Sequence, residues 1–336
     1  MEKLLTIFLT TYNRKNYIRQ ALDSILSQTY KNFNLVILDN ASNDGTSEII
    51  ASYKDERITH IRRERNIGPI NNAKTAFETA STKYFMITHD DDVMLPDMIE
   101  KQIRVMEEND DAILCDVGIV FINKRGESFK SIEEQIKTSQ KGLKILNANE
   151  FFTGYFSDEP PLSCPTVMLR TEFIKSNNIT VREDAGLAND QCLYCEINLQ
   201  GGKVYRIKDK LYLYRVHDNQ DSRNNETRAT ILEDELYKVL KETKKESLSS
   251  YLGKRVNSRL QAWAIMVARK KMDKKLLIDQ LSVAKNKEYY VEPSFKQKAV
   301  IFLAKNLPFL IKFVYFVTRK VLNKKSEYML ILESND

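Results

Sequence analysis

Residues 84–92, YFMITHDDD, join an apolar run to three consecutive aspartates. The run Tyr84–Ile87 predicts a buried strand, and Asp90, Asp91 and Asp92 follow its end. Open α/β sheets bind their ligands at the carboxyl ends of the strands. Adjacent carboxylates repel one another, so this cluster favours a bound cation, and oxygen ligands suit Mg²⁺ or Mn²⁺. The alternative interpretation is a solvated acidic loop whose last aspartate caps the next helix.

Apolar runs alternate with amphipathic stretches before this segment. Residues 4–9, 35–38 and 58–61 predict strands, and between the first two Ile18–Leu26 has apolar residues at the spacing of one helix face. Strand, loop and helix repeat four times within about 95 residues. This order predicts an α/β fold with a mostly parallel central sheet flanked by helices.

The second half of this region has a weaker pattern. Residues 112–122 predict one or two strands, and residues 203–207 and 211–215 predict two further strands. Residues 127–146 show little periodicity, and we predict a surface excursion there.

Several common phosphate-binding and export signals are absent from the sequence. Neither GxGxxG nor GxxxxGK[ST] occurs, which excludes the dinucleotide-binding and P-loop sites. A phosphate would instead be held through a metal ion and basic side chains. No run of about 18 uncharged apolar residues predicts a transmembrane helix. The first apolar run is short and leads into a core strand, so we expect a cytoplasmic protein.

Cys192 and Cys195 have the CxxC spacing of some redox and zinc sites. Such a site needs a second pair or a thioredoxin-like context, and the sequence has neither. Both residues fall in a predicted helix, 191–199. We therefore expect buried, reduced thiols.

Charge divides the chain into two predicted regions, 1–225 and 226–336. The first carries 29 Lys and Arg against 33 Asp and Glu, and the second 23 against 13. The second region is predicted to be helical. A basic helical extension on a mildly acidic body indicates an acidic partner or surface.

Residues 295–325 carry lysines, one arginine and aromatic residues but no aspartate or glutamate. This composition is typical of a helix that lies on an anionic membrane surface. The alternatives are a pair of helices packed on the body, bent at Pro308, or a surface for a protein partner. Nucleic acid is excluded as a partner because no recognised binding motif accompanies the charge.

Two later polar residues are candidates for chemistry. Asp190 opens the predicted helix 191–199, where the helix dipole keeps a carboxylate ionised. A simple helix cap is the alternative role. His217, one of three histidines in the chain, lies in the polar stretch 216–222.

Five motifs in order make residues 3–222 resemble the inverting glycosyltransferases of family 2, which have the GT-A fold. The motifs are Thr11-Tyr12-Asn13, Asp39 to Thr46, Asn66-Ile67-Gly68, the aspartate cluster followed by Pro96, and Asp190 before a late helix.

The resemblance implies transfer of a sugar from a nucleotide sugar, typically a UDP-sugar, to an acceptor hydroxyl with Mn²⁺ or Mg²⁺. It implies that Asp190 is the catalytic base and that the metal lies on Asp91, Asp92 and His217. It also implies a diphosphate contact from Arg215. The residues that it implies at the nucleotide are Thr10, Thr11, Tyr12, Asp39, Arg65, Asn66 and Asp90.

The chain departs from the family pattern at three places. Asn40-Ala41 replaces the middle of the common DDGS, His89 takes the first position of the common DxDD, and Asn189 precedes Asp190 where glutamate is usual. The role of His89, and which aspartate binds metal most directly, stay open.

The resemblance together with the basic C-terminal region predicts a lipid-linked glycan acceptor in bacterial surface polysaccharide synthesis. It also predicts a peripheral location on the inner face of the cell membrane. A glycosyltransferase that acts on protein and a non-catalytic nucleotide-binding relative are the alternatives. A nucleotidyltransferase is disfavoured because Thr10–Arg14 contains no glycine. The C-terminal helices are also a candidate surface for a homo-oligomer.

Overall fold

The computed structural model describes most of the chain as two compact units. The described residues are 2–128, 130–147, 150–151, 162–183, 185, 189–218, 220, 225–268 and 274–306. Internal contacts separate residues up to 232 from those after it. The predicted membrane-surface stretch beyond residue 306 lies outside the described residues.

The first unit is built on one mixed sheet. Its described strands are β1 (Leu5–Thr11), β2 (Phe33–Asp39), β3 (Ile58–Arg62), β4 (Tyr84–His89), β5 (Val93–Met94), β6 (Ala112–Ile122), β7 (Leu143–Leu146), β8 (Met168–Arg170) and β9 (Lys203–Arg215). Their order is β3-β2-β1-β4-β8-β6-β9-β5, and β7 pairs with β9. Strands β1 to β4 are mutually parallel, while β8 joins β4 and β6 in antiparallel pairs.

Helices flank this sheet, which confirms the predicted α/β fold. They are α1 (Ile18–Leu26), α2 (Thr46–Ala51), α3 (Pro69–Thr79), α4 (Met98–Glu108), α5 (Ile132–Lys137), α6 (Thr171–Ser176) and α7 (Asn189–Leu199). Alternate residues of β1, namely Leu5, Ile7 and Leu9, share one buried cluster with apolar residues of α1 and α4. The alternation of β1 places these side chains on one face of the sheet.

The register of the parallel strands creates the edge at which polar residues meet. Thr10 of β1 pairs with Leu38 of β2 on one side and with His89 of β4 on the other. Asp39 lies beside Thr11. The residues after β1, β2 and β4 therefore emerge together at one edge, as the sequence predicted.

The secondary structure differs from the prediction in two parts of the chain. Residues 127–146 contain α5 and β7, where a surface excursion was predicted. Strand β7 is only four residues long, two of its apolar residues, Leu143 and Ile145, are exposed, and its pairing with β9 joins residues far apart in sequence. The two strands predicted at 203–207 and 211–215 are one strand, β9, because it continues to pair with β6 through an irregular register.

The second unit is helical. Helix α8 (Asn225–Glu242) spans the boundary, and α9 (Ser249–Ala268), α10 (Lys274–Lys285) and α11 (Phe295–Asn306) follow. Its core contains Leu240, Leu252 and Ile301. Among the described helices, none has the length and apolar character needed to cross a bilayer.

Gly202 allows β9 to begin directly against β6. A Cβ atom at residue 202 would lie 2.2–2.5 Å from three side-chain atoms of Ile113, which is itself buried. Any larger residue must therefore displace a packed side chain.

We expect Gly202→Ala to lower the free energy of unfolding by about 1–3 kcal/mol, the usual cost of overpacking a core. Denaturant unfolding of the purified chain measures this loss. In an Ile113→Ala background the further loss from Gly202→Ala should be smaller, because the opposing atoms are gone. Equal losses in both backgrounds would contradict this packing argument.

Candidate functional site

The candidate site is a cavity of about 820 Å³ at the carboxyl edge of β1, β2 and β4. Thr10, Thr11 and Tyr12 line it on one side, together with the start of α3. Asp90 and Asp91, the residues before β8 and the start of α7 contribute as well, whereas Asp92 is not part of the lining. Most of the predicted site residues therefore lie around one cavity.

The loop after β2 holds the loop after β1 in place. The backbone N–H groups of Asn13 and Arg14 donate to the hydroxyls of Ser42 (3.0 Å) and Thr46 (2.8 Å). The Lys15 N–H donates to Asp44 (3.1 Å). The polar motif after β2 therefore positions the loop that lines the cavity.

Asp39 is fully buried and does not line the cavity. Its Oδ1 accepts a hydrogen bond from the Ser42 N–H (2.9 Å), and its Oδ2 accepts from the Ser47 hydroxyl and lies 3.3 Å from His60 Nε2. Burial would raise the pKa of Asp39, but these hydrogen bonds lower it well below its ordinary value. The contact of Asp39 with the nucleotide base stays a prediction. In this structure the carboxylate faces the loop after β2.

Three asparagines form this end of the cavity instead. Asn40 Nδ2 donates to Asn66 Oδ1 (2.8 Å), and Asn40 Oδ1 accepts from the Ile67 N–H (2.9 Å). Asn72 is 2% exposed and donates through Nδ2 to the carbonyl of Leu38 (2.7 Å). Its Oδ1 accepts no hydrogen bond from any residue that the structure describes. Sequence patterns gave no signal for Asn72, whose role depends on the packing of α3.

The three aspartates are all buried and have different partners. Asp90 accepts from the Tyr12 N–H (3.3 Å), while Asp91 Oδ2 lies 2.9 Å from His217 Nε2. Asp92 accepts from the Arg215 N–H (2.7 Å) and the Tyr212 hydroxyl (3.1 Å).

These partners separate the pKa values of the cluster. Burial, together with the nearby charge of Asp91, raises the pKa of Asp90 and Asp92. Burial would also raise the pKa of Asp91, but the hydrogen bond with His217 and the nearby His89 lower it below its ordinary value. Asp91 is therefore the aspartate that most readily carries negative charge in this cluster.

Arg215 is 2% exposed and lies behind the cluster, not in the cavity lining. Its guanidinium donates to the carbonyls of Asp91 (2.7 Å) and Asn123 (3.2 Å) and to Gln20 Oε1 (2.6 Å). It also lies over the ring of Tyr17. The predicted diphosphate contact stays a prediction, and these contacts make Arg215 a residue that positions the aspartate loop.

One group of side chains has the composition and spacing of a divalent metal site. Ligand atoms of His89, Asp91 and Asp92 lie within 4.8 Å of one another. Carboxylate oxygens and imidazole suit Mn²⁺, and oxygens suit Mg²⁺. Asp92 already accepts two hydrogen bonds, but a carboxylate has further lone pairs. These residues therefore fit the predicted ion. His217 does not belong to this group, but its Nε2 lies 2.9 Å from Asp91 Oδ2.

Asp190 lies in the first turn of α7 and lines the same cavity as Asp90 and Asp91. Its Oδ1 accepts from the Gln191 N–H (2.8 Å). Asp190 is partly exposed, so the carboxylate is accessible to a ligand in the cavity.

Arg65 is exposed and is not among the residues that line the cavity. Arg14, which was not predicted as a site residue, does line it. An aromatic pair from β6 and β9, Phe121 and Tyr214, lines another wall with ring centroids 5.7 Å apart. The position of Arg14 directly after Thr11-Tyr12-Asn13 was the available sequence signal for it.

Comparisons with known proteins agree on the family of the first unit. Residues 6–162 match the family described as Glycosyl transferase family 2. An uncharacterised glycosyltransferase of Methanocaldococcus jannaschii is 33% identical over 176 residues, which are 51% of this chain and 57% of that protein. The chain therefore matches little more than half the length of that relative.

A second relative matches a longer part of this chain. TuaG of Bacillus subtilis, named for teichuronic acid biosynthesis, is 27% identical over 229 residues, 66% of this chain and 82% of its own.

Solved structures share the fold at low sequence identity. Staphylococcus aureus TarS 1–349, in complex with UDP-GlcNAc, has a TM-score of 0.65 and 17% identity, covering 99% of this chain and 91% of its own. A mannosyltransferase of Pyrobaculum calidifontis, in complex with GDP-Man and Mn²⁺, has a TM-score of 0.53 and 15% identity, covering 97% and 89%.

The family match covers β1 to β7 and includes the aspartate cluster, and the relatives that share this region are named glycosyltransferases. The predicted GT-A fold is confirmed by the solved structures. Residues 6–162 therefore form a domain of glycosyltransferase family 2.

Proposed function

We propose that the chain is a metal-dependent, inverting glycosyltransferase that moves a sugar from a nucleotide sugar to an acceptor hydroxyl. The observation that carries this proposal is the placement of Asp190, Asp90 and Asp91 around one cavity. A reaction of this kind needs a base on the acceptor side and charge compensation on the leaving-group side. The two groups of carboxylates come from distant parts of the chain, and the fold brings them to the same space.

Asp190 is the proposed base. The acceptor hydroxyl transfers its proton to the Asp190 carboxylate as its oxygen attacks the anomeric carbon. The bond between that carbon and the diphosphate oxygen breaks, and the nucleoside diphosphate leaves with the electron pair. The configuration at the anomeric carbon inverts because this is a single displacement.

The residues that would hold Mn²⁺ or Mg²⁺ are Asp91, Asp92 and His89. The imidazole of His217 lies within hydrogen-bond distance of the Asp91 carboxylate. A divalent ion there would neutralise the charge that develops on the departing diphosphate. The ionised state of Asp91, favoured by His217, supports its assignment as the main ligand.

The nucleotide is proposed to bind with its base between the loop after β1 and the start of α3. Thr10, Thr11, Tyr12 and Asn66 line this end, and Asp90 lies next to them. A UDP-sugar is the proposed donor, which the TarS complex with UDP-GlcNAc supports. The shared fold with a mannosyltransferase bound to GDP-Man makes GDP-sugars the first alternative to test.

The proposed acceptor is a lipid-linked glycan used in surface polysaccharide synthesis. The similarity to TuaG supports this class of product. The aromatic pair Phe121 and Tyr214 supplies an apolar wall against which a sugar ring can pack. A protein acceptor is the second candidate.

Helix α11 supports binding to a membrane surface. Phe295 is 90% exposed and Phe302 is 59% exposed, and a separation of seven residues places them on one face of the helix. Lys296 and Lys298 are exposed on the same helix. We propose that this helix contacts anionic lipid as part of the basic segment 295–325, so that the protein acts as a peripheral enzyme on the inner face of the membrane.

We expect Asp190→Asn to lower the rate of sugar transfer by at least about 100-fold, because the amide cannot accept the proton. The affinity for UDP, measured by calorimetry, should change little. Asp110→Asn, the same change at an exposed aspartate outside the cavity, serves as the control. Turnover within a few-fold of wild type in Asp190→Asn would rule out Asp190 as the base.

We expect UDP to bind more tightly with Mn²⁺ present, and Asp91→Ala to remove that enhancement. Titration calorimetry with and without Mn²⁺ measures both effects, and a GDP titration compares the bases. Asp110→Ala, an exposed aspartate after α4, is the matched control and should behave as wild type. An Mn²⁺ effect that survives in Asp91→Ala would contradict the assigned ligand.

We expect Phe295→Ser with Phe302→Ser to reduce co-sedimentation with anionic liposomes, because the apolar contact with the headgroup region is lost. Val283→Ser, at a 47% exposed position on α10, is the control. Binding of wild type to neutral and anionic liposomes should differ, with less on the neutral ones. Failure of the wild-type chain to sediment with either would count against the membrane proposal and favour a protein acceptor.

A further inference from the structure

The cavity has more acidic than basic side chains, and the predicted cationic residues, Arg65 and Arg215, do not line it. Asp90, Asp91 and Asp190 line it, and a nucleoside diphosphate would add further negative charge. Of the described residues that line the cavity, Arg14 is the only lysine or arginine. The permanent positive charge available to a ligand in this cavity therefore comes from Arg14.

The predicted cationic residues are placed elsewhere. Arg215 is buried with its guanidinium hydrogen-bonded to Asp91 O, Asn123 O and Gln20. Arg65 is exposed outside the cavity lining. Releasing Arg215 would remove the Nε–H donor from the buried Asp91 carbonyl, which is costly.

A hydrogen bond holds the backbone of Arg14 in place, and its side chain lies next to the carboxylates of Asp90 and Asp91. Its N–H donates to the Thr46 hydroxyl (2.8 Å), which fixes the start of the side chain. Its Nε lies 3.5 Å from Asp90 Oδ1 and 4.0 Å from Asp91 Oδ2. Charge-assisted hydrogen bonds are usually about 2.7–2.9 Å long, so both contacts are loose. The side chain is 22% exposed and reaches the space next to the proposed metal ligands.

We propose that Arg14 is the diphosphate-binding cation of this site and also a counter-ion for its carboxylates. With no donor bound, the guanidinium compensates Asp90 and Asp91. When a nucleoside diphosphate enters, the guanidinium binds phosphate oxygens, and Asp91 would be compensated by the divalent ion that it would hold. Its planar set of N–H donors suits two phosphate oxygens at once. The inference rests on the proposed function, because it concerns the donor of that reaction.

The two roles have opposite effects on two ligands. Arg14 attracts the diphosphate, so its removal must weaken the binding of UDP. Arg14 repels a cation at Asp91, so its removal must not weaken, and is expected to strengthen, the binding of Mn²⁺ alone. A loop that merely collapsed would weaken both, which separates this inference from a structural role.

Titration calorimetry on the full chain tests the proposal with UDP, uridine and Mn²⁺ as separate probes. In Arg14→Ala we expect UDP to bind about tenfold or more weakly, uridine within about twofold of wild type, and Mn²⁺ alone at least as tightly as wild type. Arg14→Lys should give an intermediate loss for UDP, since it keeps the charge without the planar fork. Arg19→Ala, an exposed arginine on α1, is the matched control and should leave all three affinities unchanged.

Each contrary result overturns the inference. Unchanged UDP affinity in Arg14→Ala would show that the diphosphate does not use Arg14. Equal losses for UDP and uridine, or weaker Mn²⁺ binding, would assign Arg14 a structural role in the loop. If wild-type protein binds no nucleoside diphosphate, the proposed function fails and this inference fails with it, and that result appears in the wild-type titrations before any variant is compared.

Discussion

Mutual repulsion among three consecutive buried carboxylates is the constraint around which the first unit is arranged. Desolvation and neighbouring charge both oppose the ionisation of such a cluster. Each of the three residues has different partners. The Tyr12 N–H and Arg14 lie next to Asp90, and His217 contacts Asp91. Asp92 accepts hydrogen bonds from the Arg215 N–H and the Tyr212 hydroxyl. These unequal partners lower the pKa of Asp91 and leave the pKa values of Asp90 and Asp92 raised, so Asp91 carries negative charge most readily.

Strand β9 is the element that supplies these partners. Tyr212 and Arg215 lie in it, and His217 follows two residues later, so one continuous strand brings three groups to the loop after β4. The pairing of β9 with β6 and β5 fixes the positions of Tyr212 and Arg215 relative to the neighbouring strands. The same strand contributes Tyr214 to the cavity wall.

The cavity is chemically divided, and the division follows the sheet. The ends of β1 and β2 and the start of α3 supply hydroxyl and amide groups, which suit a nucleotide. The ends of β6 and β9 supply aromatic rings, and α7 supplies a carboxylate, which suit an acceptor that loses a proton. Reactive groups thus lie between a polar wall and an apolar wall, with the cation Arg14 on the polar side.

The sequence by itself determined the α/β class, the carboxyl edge as the site and the family, because these depend on local alternation and on motifs at strand ends. Tertiary structure alone decided the direction in which each polar side chain points. Asp39 faces its own loop, Arg215 lies behind the aspartates and Arg14 faces the cavity, although all three are polar residues at strand ends. Asp91 and His217 meet across 126 positions of sequence, and no local pattern encodes which of three adjacent carboxylates will receive the imidazole. The physical reason is that a buried charge is stabilised by whichever donors the packing brings near it, and those donors come from strands distant in the chain.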